Sequence, residues 1–349
     1  MTKLQKNKSY QAGIIGLGFW AQYQVSAWNE IEDVTIAAVC DVDAEKAKAF
    51  AEKFNVPHFF TSAEEMMDTL KLDFVDIITN PETHADLVEL AARKKVSVIC
   101  QKPMAPDLTT GKRMVEACNA ISTLFFVHEN FRFQSPMLAV KELLSGGEIG
   151  KPFKARIYFN TSFPVLKNQP GLREMERMII ADLGIHLFDL VRFFFGEVKF
   201  VFCRTRQIAE DIKGEDVATC LLETRGGVHC QVELSFASHV EYDSFPQTLV
   251  SIEGTTGTIN LNKDCQLSVF RSDTGQRQIA VKIPKYSWVN PDYEVVHTSI
   301  VACNQDILNA LKGIKKSENV GARNLETLKL VAAAYESAER ATVVDMDNY

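Results

Sequence analysis

An alternation of short apolar runs and helical patterns fills the first 130 residues and constrains the fold more than any other feature of the sequence. The runs that predict strands are Tyr10–Leu17, Val34–Cys40, Phe74–Thr79, Val96–Cys100 and Leu124–Val127. The helical patterns between them are Phe19–Glu30, Ala44–Phe54, Ser62 to about Lys71, Thr83–Lys95 and Asp107 to about Ile121. Because wholly apolar strands separated by helices are typical of parallel sheets covered on both faces, the pattern predicts an α/β, doubly wound fold.

The pattern changes after a helix predicted over Ser135–Leu144 and a glycine-rich turn, Ser145–Gly150. The strand-like runs that follow are Ala155–Ser162, Phe200–Gln207, Ala218–Glu223, Val228–Ala237, Thr248–Glu253, Thr258–Leu261 and Leu267–Arg271. Helical patterns return at Asp182–Phe194, Thr298–Lys312 and Asn324–Thr342. We therefore expect two domains, 1–130 with the parallel sheet and 131–349 as an α+β domain with an antiparallel or mixed sheet.

Charge and hydropathy exclude two classes of protein. The net charge of −7 argues against a nucleic-acid-binding surface, which needs a basic stripe. The most apolar stretch, near Phe193–Phe195, is far shorter than a membrane span. Met1–Ser9 is polar and lysine-rich, without the apolar segment of a secretory signal. We expect a cytoplasmic protein with neither a nucleic-acid nor a membrane partner. The eight cysteines form no C-x-x-C pair, so we interpret them as small buried hydrophobes.

A glycine-rich segment after the first predicted strand has the spacing of a dinucleotide-binding loop. Gly16, Gly18 and Ala21 fit the pattern G-x-G-x-x-G/A between a strand and a helix. In this pattern Gly16 permits a tight turn, and Gly18 lets backbone N–H groups approach a pyrophosphate. Phe19 and Trp20 lie inside the loop and are expected to contact the cofactor. The alternatives for Trp20 are that it touches substrate or only covers the pocket.

A carboxylate at the end of the second predicted strand indicates which dinucleotide is bound. Asp41 stands where a ribose-binding carboxylate belongs in this fold. Such a group accepts hydrogen bonds from the ribose 2′-hydroxyl and repels a 2′-phosphate, which favours NAD over NADP. The alternative is that Asp41 or Asp43 only caps the next helix.

Two further segments carry groups suited to proton transfer. Lys102 follows the strand Val96–Cys100, at the sheet edge where ligands sit in open α/β folds. Asp182, His186 and Asp189 recur at spacings of four and three, which place them along one face of a predicted helix. A histidine between two carboxylates suits an acid–base group held in one tautomer. The alternatives are a solvated lysine at a strand end and a histidine that only caps or packs.

These motifs resemble those of the glucose–fructose oxidoreductase, inositol dehydrogenase and rhizopine-catabolism family (Gfo/Idh/MocA). The resemblance rests on GIIGLG at Gly13–Gly18, NPETH at Asn80–His84, QKP at Gln101–Pro103, GEIGKP at Gly147–Pro152 and DLGIH at Asp182–His186. It implies a Rossmann domain followed by a domain with a large open, mostly antiparallel sheet. Because that sheet commonly makes subunit contacts in the family, the resemblance also implies a homodimer or homotetramer.

The resemblance also implies the chemistry. The family's catalytic lysine, aspartate and histidine fall on Lys102, Asp182 and His186, which implies NAD-dependent oxidation of a sugar or polyol. His186 would remove the hydroxyl proton, Lys102 would stabilise the alkoxide, and Asp182 would orient His186 or bind a neighbouring hydroxyl. One departure is that Gln101 stands where the family usually has glutamate. Because an amide that can form hydrogen bonds remains there, we expect the reactivity of Lys102 to change without loss of activity.

The expected site is wider than these residues. Residues expected to bind the cofactor are Gly16, Gly18, Phe19, Trp20, Asp41, Asn80, His84, Gln101, Lys102 and Asn130. Residues expected to bind substrate are Lys102, Asn130, Arg132, Asp182 and His186. Asn130 and Arg132, with Glu129, follow the strand Leu124–Val127 and so lie at its carboxyl end. His84 is equally compatible with a structural role.

Finer features at Cys100–Pro106, His128–Pro136 and Gly214–Thr219 resemble a branch of the family that oxidises a branched pentose to its lactone with NAD. The alternatives are an inositol or other cyclic-polyol dehydrogenase, and a non-catalytic NAD-binding regulator of the same fold. A regulator would not need Lys102, Asp182 and His186 together. A metal site would need a third and fourth ligand at a recognised spacing, which we do not find, so we expect no metal.

Overall fold

The computed structural model describes residues 9–161, 163–240 and 247–349, which form two compact units. The first unit runs to Asn130 and also contains Tyr286–Val289 and His297–Leu325. The second unit contains Phe131–Lys285, Asn290–Val296 and Glu326–Tyr349. Two stretches interpreted above, Met1–Lys8 and Ser162 at the end of a predicted strand, lie outside the described residues.

A six-stranded parallel sheet with the order β3-β2-β1-β4-β5-β6 forms the centre of the first unit. Its strands are β1 (Tyr10–Ile15), β2 (Val34–Cys40), β3 (His58–Phe60), β4 (Phe74–Ile77), β5 (Ser97–Gln101) and β6 (Phe125–His128). The helices between them are α1 (Ala21–Asn29), α2 (Ala44–Phe54), α3 (Ala63–Thr69), α4 (Pro81–Arg93) and α5 (Leu108–Ala120). This is the strand order of a doubly wound nucleotide-binding sheet, so the predicted α/β fold class is confirmed.

Side-chain caps explain where three of the helices of the first unit begin. Asp43 accepts a hydrogen bond from the backbone of Lys46 at the start of α2, Ser62 accepts one from Glu65 at α3, and Asp107 accepts one from Thr110 at α5. The helical patterns predicted to start at Ser62 and Asp107 therefore begin directly after these caps, at Ala63 and Leu108. Because Asp43 caps α2, Asp41 is not needed for that purpose.

A nine-stranded sheet with the order β14-β13-β12-β11-β7-β10-β9-β8-β15 forms the second unit. Its strands are β7 (Pro152–Asn160), β8 (Val198–Arg206), β9 (Val217–Thr224), β10 (His229–Ser235), β11 (Leu249–Gly254), β12 (Gly257–Asn262), β13 (Gln266–Arg271), β14 (Gly275–Ile279) and β15 (Val344–Asp345). Every neighbouring pair is antiparallel except β7 and β10. The predicted large, mostly antiparallel sheet is confirmed.

The remaining helices are α6 (Ser135–Ser145), α7 (Val165–Asn168), α8 (Ile185–Phe195), α9 (Glu294–Leu311) and α10 (Gly321–Arg340). Burial alternates along β9 and β10, so one face of the nine-stranded sheet is covered, and α8 contacts β7 and β10. The range Asp182–Phe194, predicted as helical, is helical throughout, but its first residues are not α-helical. Ile180–Gly184 form a π-helix, and the α-helix begins only at Ile185.

None of the described helices is long and apolar enough to cross a bilayer.

All eight cysteines are unbridged, and seven of them are buried. Burial raises the pKa of the Cys40 and Cys118 thiols to about 11, which keeps them protonated at neutral pH.

Candidate active site

The glycine-rich loop joins β1 to α1 and combines one crowded glycine with one open glycine. Gly16 has a φ of +89°, and a Cβ there would lie 2.6 Å from Thr79 Cγ2. A Cβ added at Gly18 would meet no atom within 4 Å. Gly16 is thus required by the turn and by the approach of the segment after β4, whereas Gly18 leaves open space beside the backbone.

Asp41 closes the loop from the end of β2. Its Oδ2 accepts a hydrogen bond of 2.9 Å from the backbone N–H of Leu17, and its Oδ1 accepts one of 3.2 Å from Asp43. Lys46 Nζ lies 2.8 Å from Oδ2. Burial alone would raise the pKa of Asp41, but the hydrogen bonds from Lys46, Leu17 and Asp43 outweigh it and hold the pKa below its ordinary value. The carboxylate is therefore charged at neutral pH.

Aromatic side chains surround the loop in a way that the sequence pattern did not indicate. Phe19 is 59% exposed, and its ring lies 5.5 Å from that of Tyr23. Trp20 lies 5.7 Å from His297, which stacks on Tyr23 at 3.9 Å. The indole N–H of Trp20 is buried and has no hydrogen-bond partner among the described residues. Phe19 thus offers an exposed ring at the loop, and Trp20 offers a hydrogen-bond donor.

His84 on α4 is fully buried and binds backbone carbonyl groups. Its Nε2 lies 3.1 Å from the oxygen of Thr79, and its Nδ1 lies 3.1 Å from that of Pro103 and 3.3 Å from that of Met104. Burial lowers the pKa of His84 below its ordinary value, although the three carbonyl groups act in the opposite direction. These contacts tie the turn after Lys102 to the end of β4, while a contact of His84 with the cofactor stays a prediction.

The other predicted residues of the first unit lie at strand and helix ends. Lys102 follows the last residue of β5 and is partly exposed, whereas Gln101 is buried. Asn80 is the N-cap residue of α4, and its side chain makes no capping hydrogen bond. Asn130, just after β6, is buried and donates a 2.9 Å hydrogen bond from Nδ2 to Ser299 Oγ. Lys102 and Asn80 are thus at the carboxyl ends of neighbouring parallel strands, where ligands bind in this fold.

In the second unit, an aromatic ring sets the plane of the candidate acid–base group. The imidazole of His186 on α8 is buried and stacks on the ring of Phe131, with 3.7 Å between centroids and 4° between planes. Asp182 lies one turn earlier, in the π-helix, and is partly exposed. Phe131 is a residue that the sequence analysis missed, because no local pattern relates a residue before α6 to one on α8.

Arg132 and Asp189, both predicted within or beside the site, bind each other. The guanidinium group donates two hydrogen bonds to the carboxylate, one of 2.7 Å from Nε and one from a terminal nitrogen. Both side chains are buried, and Thr327 adds a 3.3 Å hydrogen bond to Asp189. The structure therefore assigns Asp189 a guanidinium partner.

Glu215 supports the segment that carries Asp182. Its carboxylate accepts hydrogen bonds of 3.2 Å from the backbone N–H groups of Met178 and Ile180 and one of 2.7 Å from Tyr335 Oη. Glu215 stood in a motif used for the family resemblance, but its role depends on contacts more than 30 residues away. No group of three or more His, Cys, Asp or Glu side chains able to hold a metal ion occurs within the described ranges.

Family models match both units of the chain. The model of an oxidoreductase family with an NAD-binding Rossmann fold (Gfo/Idh/MocA) matches residues 10–129, and the model of the Gfo/Idh/MocA C-terminal domain matches residues 137–260. The chain belongs to the Gfo/Idh/MocA oxidoreductase family. The predicted family and the predicted NAD-dependent oxidoreductase class are confirmed.

Members of the Gfo/Idh/MocA family resemble the chain over almost its full length. A D-apiose dehydrogenase from Paraburkholderia graminis is 38% identical over 97% of this chain and 90% of its own length. One from Rhizobium rhizogenes is 39% identical over 96% of this chain and 97% of its own length. The crystal structure of an oxidoreductase from Agrobacterium radiobacter, in complex with NAD+, L-tartaric acid and magnesium, is 39% identical, with a TM-score of 0.95 over 98% of this chain and 99% of that one.

Proposed function

We propose that this enzyme oxidises D-apiose, or a closely related aldose, to its lactone with NAD as hydride acceptor. The observation that carries the proposal is the identity of 38–39% with two D-apiose dehydrogenases over 96–97% of the chain. A homodimer or homotetramer in the cytoplasm, as the family resemblance implies, is part of the same proposal.

The first unit has residues that fit the cofactor. The open space beside Gly18 admits a pyrophosphate next to backbone N–H groups, and the charged Asp41 is a suitable acceptor for ribose hydroxyls. Further proposed cofactor contacts lie at the loop or close to strand ends: Phe19, Trp20, Asn80, Gln101 and Asn130. When bound, NAD accepts the hydride that leaves the substrate carbon.

The chain's own residues move the proton and hold the charge. In the proposed mechanism His186 takes the proton of the hydroxyl group being oxidised, with its ring plane held by Phe131. Lys102 donates a hydrogen bond to the oxygen as negative charge develops there. Asp182 orients His186 or binds a neighbouring hydroxyl, and Asn130 and Arg132 contribute to binding the sugar.

Replacing His186 tests the proton-transfer role. We expect His186→Ala to lower kcat about a hundredfold or more, because a positioned acid–base group contributes that much to the rate. The reduction of NAD by D-apiose is followed by absorbance, and the Kd for NAD is measured separately by fluorescence. The matched control is His229→Ala, because the His229 side chain is 75% exposed on the second unit. Near-native turnover by His186→Ala with unchanged NAD affinity would contradict the assignment.

A further inference from the structure

Beneath the edge of the parallel sheet lies a connected set of buried polar side chains, which we call the buried amide cluster. Its members are Gln24 on α1, Asp76 on β4, Gln101 on β5, His128 on β6 and Asn304 on α9. Four of the five are completely buried, and Gln101 is 9% exposed. A cluster of this kind is costly to bury, and apolar side chains of similar size would fill the same space at lower cost.

Gln24 is the hub of the cluster. Its Nε2 donates hydrogen bonds of 2.8 Å to Asp76 Oδ2 and 3.1 Å to Asn304 Oδ1. His128 Nε2 lies 2.9 Å from the same oxygen of Asn304. With both hydrogens of its amide nitrogen used, Gln24 presents Oε1 to Gln101, whose Nε2 donates a long hydrogen bond of 3.5 Å. The orientation of the Gln24 amide therefore requires a donor at position 101.

Asp76 anchors this orientation. Its Oδ2 accepts a second hydrogen bond of 2.8 Å, from Trp28 Nε1, so this oxygen can only be an acceptor toward Gln24. Burial raises the pKa of Asp76 to about 6, against the hydrogen bonds from Trp28 and Gln24 that lower it. An ionised glutamate at position 101 would bring a second carboxylate to the buried amide cluster, beside Asp76, and would offer Gln24 Oε1 no hydrogen. An amide at position 101 supplies the hydrogen that Gln24 Oε1 accepts.

We propose that Gln24, anchored by Asp76, is a positioning residue that acts through Gln101 to hold the end of β5 and so the placement of Lys102. The inference rests on the proposed function, because it takes Lys102 as the group that stabilises the alkoxide. It also explains why residue 101 is an amide: Gln24 Oε1 needs a hydrogen-bond donor at this position. The hydrogen bond between Gln24 and Gln101 also links α1, the helix that follows the glycine-rich loop, to β5, the strand directly before Lys102.

A double-mutant cycle tests this proposal. Gln24→Met and Gln101→Met remove the hydrogen bonds while keeping similar volume, and each is expected to lower kcat about tenfold. Because Gln24 is not among the proposed cofactor contacts, Gln24→Met is expected to change the KM for NAD by less than about twofold. Because both substitutions break the same connection, the double variant should be no slower than either single variant. Gln101→Glu should lower kcat at least as much as Gln101→Met. The control is Ser337→Ala, which removes a buried hydroxyl of the second unit and should leave kcat unchanged.

A second measurement reports on Lys102 without any substrate. Reductive ¹³C-methylation labels the lysines, and Lys102→Arg identifies the resonance of Lys102. We expect Gln24→Met and Gln101→Met to move this resonance in the same way, and Ser337→Ala to leave it in place. An unmoved resonance in both Met variants, or kcat losses that multiply in the double variant, would overturn the positioning role. If the wild type oxidises no sugar, the proposed function fails, and the resonance still decides whether Gln24 positions Lys102.

Discussion

We predict that the preference for NAD over NADP depends on the carboxylate of Asp41, which contacts Lys46. Lys46 Nζ lies 2.8 Å from Asp41 Oδ2, close to where the 2′ position of the ribose is expected. In Asp41→Ser the ammonium group remains without its partner and is free to bind a 2′-phosphate. We expect the ratio of kcat/KM for NAD to that for NADP to fall by about a hundredfold, a change of ~3 kcal/mol. Initial rates with the two cofactors measure this ratio.

Asp43→Asn is the matched control for this prediction. Asp43 caps α2 and carries the same charge two residues away, and asparagine is also a good N-cap. We expect this variant to keep the preference of the wild type. A ratio in Asp41→Ser that is as high as in the wild type would contradict the role assigned to Asp41.

At the residue scale, the groups that the sequence analysis proposed share one property: local patterns place them at strand ends or on one helix. Asp41 and Lys102 follow apolar runs, so their location at the sheet edge was predictable. Phe131 and Gln24 were not, because their contacts join residues far apart in sequence. Gln24 meets Asp76 across 52 positions and Asn304 across 280, and no period in the sequence encodes such pairs.

At the scale of elements, the pair Arg132–Asp189 ties the segment before α6 to α8. In Arg132→Met the carboxylate of Asp189 is left buried without its guanidinium partner, which costs about 3–5 kcal/mol of unfolding free energy. Urea denaturation at pH 7, followed by circular dichroism, measures the loss.

The double variant Arg132→Met with Asp189→Leu tests whether the loss of stability comes from an unpaired buried charge or from the loss of the contact itself. Because it removes both charges together, we expect it to regain most of the stability that the single variant loses. If the losses of unfolding free energy from the two substitutions instead add, Arg132 does not act as the charge partner of Asp189.

Elements with a strong period were predictable, and short or irregular ones were not. The helix starts at Ser62 and Asp107 and five strands of the parallel sheet follow directly from residue types, whereas β3, with only three residues, was not predicted. The strand β15 has only two residues, too few to show an alternation. The π-helix over Ile180–Gly184 also has no signature in the spacing of apolar residues, so the sequence did not indicate a change of helix type there.

At the scale of the whole molecule, Asp76 makes stability depend on pH. The pKa of Asp76 in the folded protein is about 6, above the ordinary value of 3.8 that applies to the unfolded chain. The folded state therefore holds the proton more tightly, and this contribution to stability is full below pH 3.8 and is lost as the pH rises through 6.

Asp76→Asn removes this titration. We expect the free energy of unfolding of the wild type, relative to Asp76→Asn, to fall by about 2 kcal/mol between pH 4.5 and pH 7.5. Urea denaturation of both proteins at the two pH values measures the difference, and the comparison cancels other groups that titrate in both. A difference that stays constant, or rises with pH, would show that Asp76 is not protonated more readily in the folded state.

The two sheets followed from sequence patterns, but the full composition of each unit did not. Helix-separated apolar strands predict a parallel sheet, and closely spaced strands without helices predict an antiparallel one. The segments Tyr286–Val289 and His297–Leu325 belong to the first unit although they come after the second sheet in the chain. Their placement depends on long-range packing, such as the stacking of His297 on Tyr23, which periodicity does not encode.

The proposed oxidation of a branched pentose with NAD by this member of the Gfo/Idh/MocA family can be measured directly. The direct measurement is a screen of D-apiose, other aldoses and inositols with NAD and with NADP, followed by absorbance of the reduced cofactor. We expect the highest kcat/KM with D-apiose and NAD, with release of the lactone. Turnover of inositols but not of D-apiose, or a strong preference for NADP, would contradict it.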